Sequence, residues 1–127
     1  MPVLCEGIVM YDPRHSFKGL CAEDIEQGHS VYLSSDGLIY LVDDGKNDVC
    51  HGWALEPGAE GETITVVKYC RMKVDTAQTI GAMAYTGQLA GGSAPSTSLA
   101  AAGLIVGWAY AADAVIVTAP NPPAANG

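Results

Sequence analysis

The side chains that could do chemistry are Cys5, Cys21, Cys50 and Cys70, His15, His29 and His51, and fourteen acids that include the neighbours Glu23-Asp24 and Asp43-Asp44. A structural zinc site draws Cys and His from short paired spacings. Only Cys50-His51 is close, and adjacent residues on a strand point to opposite faces. Asp43-Asp44-Gly45-Lys46-Asn47-Asp48 has the composition of a calcium-loop fragment. Neither aspartate, however, opens a frame with Gly at the sixth position and Glu at the twelfth, so a solvated turn is expected. No Gly-x-Ser-x-Gly elbow presents a nucleophile, and Gly58 to Glu62 lacks the Lys-Ser/Thr of a phosphate loop. The expectation is a protein that is not an enzyme, with no catalytic residue, metal or cofactor. Its cysteines are expected to be reduced and to pack as small hydrophobes.

Charge narrows the partners. The 127-residue chain has six Lys and Arg against fourteen acids, a net charge of −8. That balance favours solubility and disfavours a phosphate backbone, so no nucleic-acid partner is expected. Residues 1–75 hold all six cations and thirteen of the acids, whereas residues 76–127 hold only Asp113. A charge-poor half must become core or contact surface. Met1-Pro2-Val3-Leu4-Cys5-Glu6 lacks the basic and apolar runs of a secretory signal. The run Leu99 to Val117 has the length of a membrane span, but Gly103, Gly107 and Asp113 interrupt it and no Lys or Arg flanks it. No membrane partner is expected.

The elements that would position these residues read as strands. Pro2, Asp12-Pro13 and Gly19 break up residues 1–20, which are expected to form an extended N-terminal arm in which Val3 to Met10 can still add one strand. Ser30 to Leu33 and Leu38 to Val42 flank Ser34-Ser35-Asp36-Gly37, a hairpin with Asp-Gly at its turn. Val49 to Leu55 follows, then Glu62 to Met72, one long strand apolar enough to be covered on both faces. Ala82 to Thr86, Leu104 to Tyr110 and Ala114 to Thr118 complete the set, with a loop from Gly87 to Ser98 and one helical turn over Ser98 to Ala102. Residues 119–127 carry three prolines and read as a flexible tail.

An internal repeat organises these strands. Gly52-Trp53-Ala54 returns as Gly107-Trp108-Ala109, and Ile25…Gly28…Val31-Tyr32 is echoed by Ile80-Gly81…Ala84-Tyr85. Repetition of a β unit implies one pseudo-symmetric domain or two similar subdomains. The expected fold is all-β, a small barrel or sandwich of two pseudo-repeated units at 21–74 and 75–118, between the arm at 1–20 and the tail at 119–127. Gly52, Trp53, Ala54, Gly107, Trp108, Ala109, Tyr32 and Tyr85 are the expected core and repeat positions. Glycine would permit close backbone approach, and Trp53 and Trp108 would be buried equivalents.

The segments Ala22-Glu23-Asp24-Ile25-Glu26-Gln27-Gly28-His29-Ser30-Val31-Tyr32, Asp36-Gly37-Leu38-Ile39-Tyr40, His51-Gly52-Trp53-Ala54-Leu55 and Gly61-Glu62-Thr63-Ile64-Thr65-Val66, with their partial second pass, resemble the capsid decoration (cement) proteins of tailed bacteriophages. The likeness spans about residues 20–118. It implies a β-barrel made in the host cytoplasm and carried on the virion, bound to the major capsid protein on the outside of the mature head and stabilising it against internal DNA pressure. It also implies a homo-oligomer, a trimer before a dimer, with no catalytic residues to carry over. The indoles after Gly52 and Gly107 depart from the small or aliphatic residue usual there. Capsid or subunit contacts are expected from Pro2, Val3, Leu4, Tyr11, Phe17, Leu89, Leu99 and Leu104, with the arm and tail ordering on neighbouring subunits. The competing readings are a small ligand- or glycan-binding β-barrel, which would expose its aromatics, and another virion component such as a tail connector.

Overall fold

A computed structural model describes residues 3–43, 45–46, 48–87, 89, 91–99 and 104–120. Ten strands make two sheets. They are β1 (Cys5–Tyr11), β2 (Ser16–Cys21), β3 (Ser30–Leu33), β4 (Leu38–Leu41), β5 (Gly52–Ala54), β6 (Thr63–Val67), β7 (Tyr69–Val74), β8 (Met83–Thr86), β9 (Leu104–Ala111) and β10 (Ala114–Thr118). Strands β2-β4-β3-β5-β6 close into a barrel, and β1-β7-β10-β9-β8 form an open sheet. The protein is all-β, as its alternating apolar runs and Gly-rich turns require.

The repeat is visible in the topology. In the barrel β3, β5, β6 and β2 are successive neighbours, and in the open sheet β8, β9, β10 and β7 follow the same order, antiparallel throughout. The difference is β4. It pairs antiparallel with β3 and parallel with β2, where Leu20 faces Leu38 and Cys21 faces Ile39, and so closes the barrel. Its hairpin follows from Asp36-Gly37. Gly37 takes φ +86°, and the Asp36 carboxylate accepts from Leu38 N at 2.9 Å and from the Tyr40 hydroxyl at 2.6 Å. Among the described residues no strand stands in that place beside β8, so the second sheet stays open.

Two cores result. The barrel interior holds Cys21, Ile25, Val31, Ile39, Leu41, Ala54, Ile64 and Val66. A larger core lies between barrel and open sheet and includes Val3, Val42, Trp53, Val67, Met72, Val106, Val115 and Val117. Trp53 is fully buried there and donates from Nε1 to Ser30 Oγ at 3.0 Å, while Thr86 Oγ1 donates to the same oxygen at 2.6 Å. One hydroxyl thus ties β5 and β8 across the layer boundary.

Several expectations change. Residues 1–20 are not a spare arm: β1 pairs with β7 and β2 pairs with β6. Asp12-Pro13 makes a single 3-10 turn between them, and Gly19 lies inside β2, where a Cβ would meet the Ile39 side chain at 2.9 Å. The unit boundaries shift accordingly, to 16–67 for the barrel and 69–118 for the repeated part of the sheet. The long strand over 62–72 is broken at Lys68. Its N–H donates to His15 O and its carbonyl accepts from Ala119 N, so Ile64 and Val66 face the barrel core while Cys70 and Met72 face the shared core. The run considered as a membrane span supplies the β9–β10 hairpin over 104–118. Among the described residues no helix is long and apolar enough to cross a membrane. Pro2, residues 100–102 of the expected helical turn and 121–127 of the tail lie outside the described residues.

Trp108 is the main correction. It is 50% exposed, whereas Trp53 is 0% exposed. The two Gly-Trp-Ala copies are nonetheless in register: Gly52 and Trp53 pair with Val31 and Ser30, and Gly107 and Trp108 pair with Ala84 and Met83. On the other side Trp53 and Ala54 face Val67 and Val66, as Trp108 and Ala109 face Ile116 and Val115. Ala54 lies in the barrel core and Ala109 in the shared core, so each Trp, on the opposite face of its strand, points away from its own unit's core. The open sheet covers that outer face of β5 and buries Trp53, whereas no described element covers that of β9, and Trp108 is left exposed.

Candidate functional site

The outer face of the open sheet carries the least expected set of side chains. Direct cross-strand partners form one rank through all five strands: Met83, Trp108, Ile116, Arg71 and Met10. Met83, Trp108 and Met10 are each at least half exposed, as is Ile105 beside the rank. On β7 the alternation is strict, with Cys70, Met72 and Val74 buried and Tyr69, Arg71 and Lys73 turned outward. The Arg71 guanidinium lies 5.4 Å from the centre of the Tyr110 ring, and its Nε is buried without a hydrogen-bond partner among the described residues. A cation held over an aromatic ring beside exposed Met, Ile and Trp is an arrangement suited to a partner rather than to water.

Charge divides along the same line. Residues 16–67 contain ten of the fourteen acids and two of the six cations, the entire net charge of −8, so the rest of the chain is neutral. The open sheet therefore presents an apolar, locally basic face on an acidic protein.

The expected contact residues are scattered by the fold. Val3 is in the shared core, its N–H bonded to Ser93 Oγ at 2.9 Å. Phe17 packs on the barrel core, and Leu99 and Leu104 pack on the shared core. Val3 is 2% exposed, whereas Phe17, Leu99 and Leu104 keep part of their surface open where a strand or loop closes over an apolar layer. Leu4 and Tyr11 are exposed, and Leu89 is half-buried. Tyr32 is half-buried and stacks on Tyr40 with ring centres 5.6 Å apart, and Tyr85 is half-buried on β8. Gly52, Ala54 and Ala109 are buried. The sequence reading missed Met10, Arg71, Met83 and Ile105. The signal available was Arg71 and Lys73 two apart on a strand, with large apolar residues on both faces of β9.

The other polar groups are spread out. Among the described residues no group of three or more His, Cys, Asp and Glu gathers as a metal site would. All four cysteines are thiols. Burial pushes Cys50 up to about 12 and Cys70 higher still, with Cys5 and Cys50 near enough to Cys70 to add to the shift. Asp12, His15, Lys68, Tyr69, Thr118 and Ala119 line a cavity of about 490 Å³ where the chain crosses between the sheets.

Buried His29 and part-buried His51 should make the protein's stability fall in acid. The His29 side chain is 5% exposed, and its Nε2 lies 3.4 Å from a Glu26 oxygen but outside hydrogen-bonding geometry. Glu26 is largely solvated, so burial dominates and lowers the His29 pKa. Burial also lowers that of His51, whose Nδ1 accepts from Leu33 N at 2.9 Å. Both folded values lie below the unfolded one, near 6.5. The unfolded chain therefore binds more protons as pH falls below that point, and stability present above it is lost. The melting temperature should fall as pH is lowered from 7 to 5. His29→Gln should flatten that fall; an unchanged profile would show that His29 does not contribute.

The fold and this face define an all-β protein with a barrel backed by an open sheet and an apolar outer surface. No protein-family model matches the chain, and no curated protein matches it as a relative.

Proposed function

We propose that this protein is a non-catalytic capsid decoration protein of a tailed bacteriophage, which docks on the major capsid protein through the outer face of its open sheet. The observation that carries the reading is the rank Met83-Trp108-Ile116-Arg71-Met10. A sheet face with a central aromatic and arginine, surrounded by Met and Ile, has the composition of an interface centre. The charge division favours a capsid surface that is apolar with acidic groups opposite Arg71 and Lys73, and it keeps the acidic barrel facing water. A standard interface buries about 800 Å² per partner, which one face of a small domain can supply. Assembly as a homo-oligomer, with a trimer favoured, would multiply weak contacts on a repeating lattice.

Co-sedimentation with expanded, empty heads tests this. Arg71→Glu combined with Trp108→Ser should weaken binding by about tenfold or more, with the fold intact because both side chains lie outside the core. Undiminished occupancy would reject the face as the docking surface. The exposed indole of Trp108 also favours a second reading, stacking on a sugar ring. Protection of Trp108 fluorescence by soluble glycans, with no binding to heads, would support that reading.

A further inference from the structure

We propose that the seam where the chain crosses between barrel and open sheet is a binding site for a single carboxylate group, a site that adjoins the docking face at Tyr69 but uses none of its rank Met83-Trp108-Ile116-Arg71-Met10. The chain crosses twice, at Asp12 to His15 and at Lys68, and the end of β10 lies against the second crossing. Main-chain hydrogen bonds fix these walls: Lys68 N to His15 O at 2.9 Å, Ala119 N to Lys68 O at 2.8 Å and His15 N to Asp12 O at 3.0 Å. The cavity of about 490 Å³ between them has the size of a small-ligand site.

Its charges are unequal. The Asp12 carboxylate is already committed. It accepts from Arg14 N at 3.0 Å, from Arg14 Nε and a terminal Arg14 nitrogen at 3.2 Å each, and it lies 3.0 Å from His15 Nδ1. These bonds hold it ionised, its pKa lowered to about 2, mainly by the Arg14 side chain. Asp12 and Arg14 neutralise one another. Lys68 is half-buried at the cavity wall and has no carboxylate in ion-pair range among the described residues. The remaining groups are the His15 ring and the Tyr69 and Thr118 side chains, whose N–H and O–H groups can bond an oxyanion. One unmatched ammonium with hydroxyl donors nearby suits a monoanion. A dianionic phosphate would face the Asp12 carboxylate with only one free cation. The carboxylate has two sources with the same chemistry, a small organic acid or an Asp or Glu side chain of a docked protein.

The test is a titration of the intact protein, followed by NMR at the Lys68 ammonium and the His15 ring. One arm uses N-acetylglutamate, the second a capped peptide with one Glu among apolar residues, and the third inorganic phosphate. Saturable shifts with both carboxylates, weakened about tenfold in Lys68→Met, are the expected result. Tighter binding of the peptide identifies a protein side chain as the source, and equal or tighter binding of the free acid identifies a small ligand. Lys68→Gln gives a second neutral variant should Lys68→Met fold poorly. Absence of saturation in the unaltered protein, affinity unchanged by loss of the ammonium, or phosphate binding tighter than either carboxylate would overturn the assignment.

Discussion

Replacing Trp53 with alanine should cost about 3–5 kcal/mol of stability, while Trp108→Ala should cost less than about 1 kcal/mol. The two residues look alike in sequence, and the contrast follows from where they sit. Trp53 is fully buried between barrel and open sheet among Val42, Val67, Val106 and Val117. Its removal opens a cavity in the layer that joins the sheets, and it takes away the Nε1 donor from a Ser30 hydroxyl that also holds Thr86. Because that layer is shared, loss of packing there loosens both sheets at once. Trp108 is half exposed and gives up mostly surface. Chemical denaturation of the two variants measures the difference. Acrylamide quenching checks the geometry separately, since the Trp53→Phe protein should be quenched readily and the Trp108→Phe protein should resist. Equal destabilisation by the two alanines would refute the assigned burial of the two indoles.

Gly107→Ala should be at least as damaging as the loss of Trp53, on the order of 3 kcal/mol or more. A Cβ at Gly107 would run into the carbonyl oxygen of Ile116, with Ile116 C and Val117 Cα both at 2.9 Å. A flexible side chain could turn aside. These atoms are the backbone of β10, which can yield only by separating from β9 and losing ladder hydrogen bonds. Gly52→Ala meets the same obstacle in the barrel, where the added atom would strike Val67 O and lie 2.7 Å from Val66 Cγ1. Gly61→Ala is the control. Nothing lies within 4 Å of its Cβ, and its φ of +87° leaves only the left-handed penalty of about 1–2 kcal/mol. Thermal unfolding of the three variants should rank Gly61→Ala far milder than the other two. A similar cost for all three would count against close approach as what makes Gly52 and Gly107 necessary.

How much of this was legible varies with the range of the interaction. The β3–β4 hairpin, the strands near 82–86, 104–110 and 114–118, and the plan of two repeated units rest on local signals: alternation, β-branched residues, and Asp-Gly or Gly-rich turns. Such signals act within a few residues and survive in any context. The division of residues 62–72 into β6 and β7 does not. Glu62 to Met72 reads as one continuous apolar strand, and the bonds of Lys68 to His15 and Ala119 mark where it passes from one sheet into the other. The N-terminal segment was similarly opaque. Its Pro and Gly mark breaks, but whether Cys5 to Tyr11 finds an edge depends on β7, more than fifty residues away.

The candidate site shows the same limit more sharply. Gly-Trp-Ala repeats in letters and in strand register, yet one indole is buried and the other exposed, because the open sheet covers the outer face of β5 and no described element covers that of β9. Arg71 and Met10 have no sequence relation, and they become neighbours only through β1–β7 pairing. The amino-acid sequence by itself determined the all-β class, the turns, the repeat and the excess of acid, since each follows from composition and short spacing. Tertiary structure alone decided that β4 closes one unit and leaves the other open, which indole is buried, and which apolar residues face outward. Those outcomes depend on pairing between distant strands, where a shift of one residue turns every side chain to the opposite face.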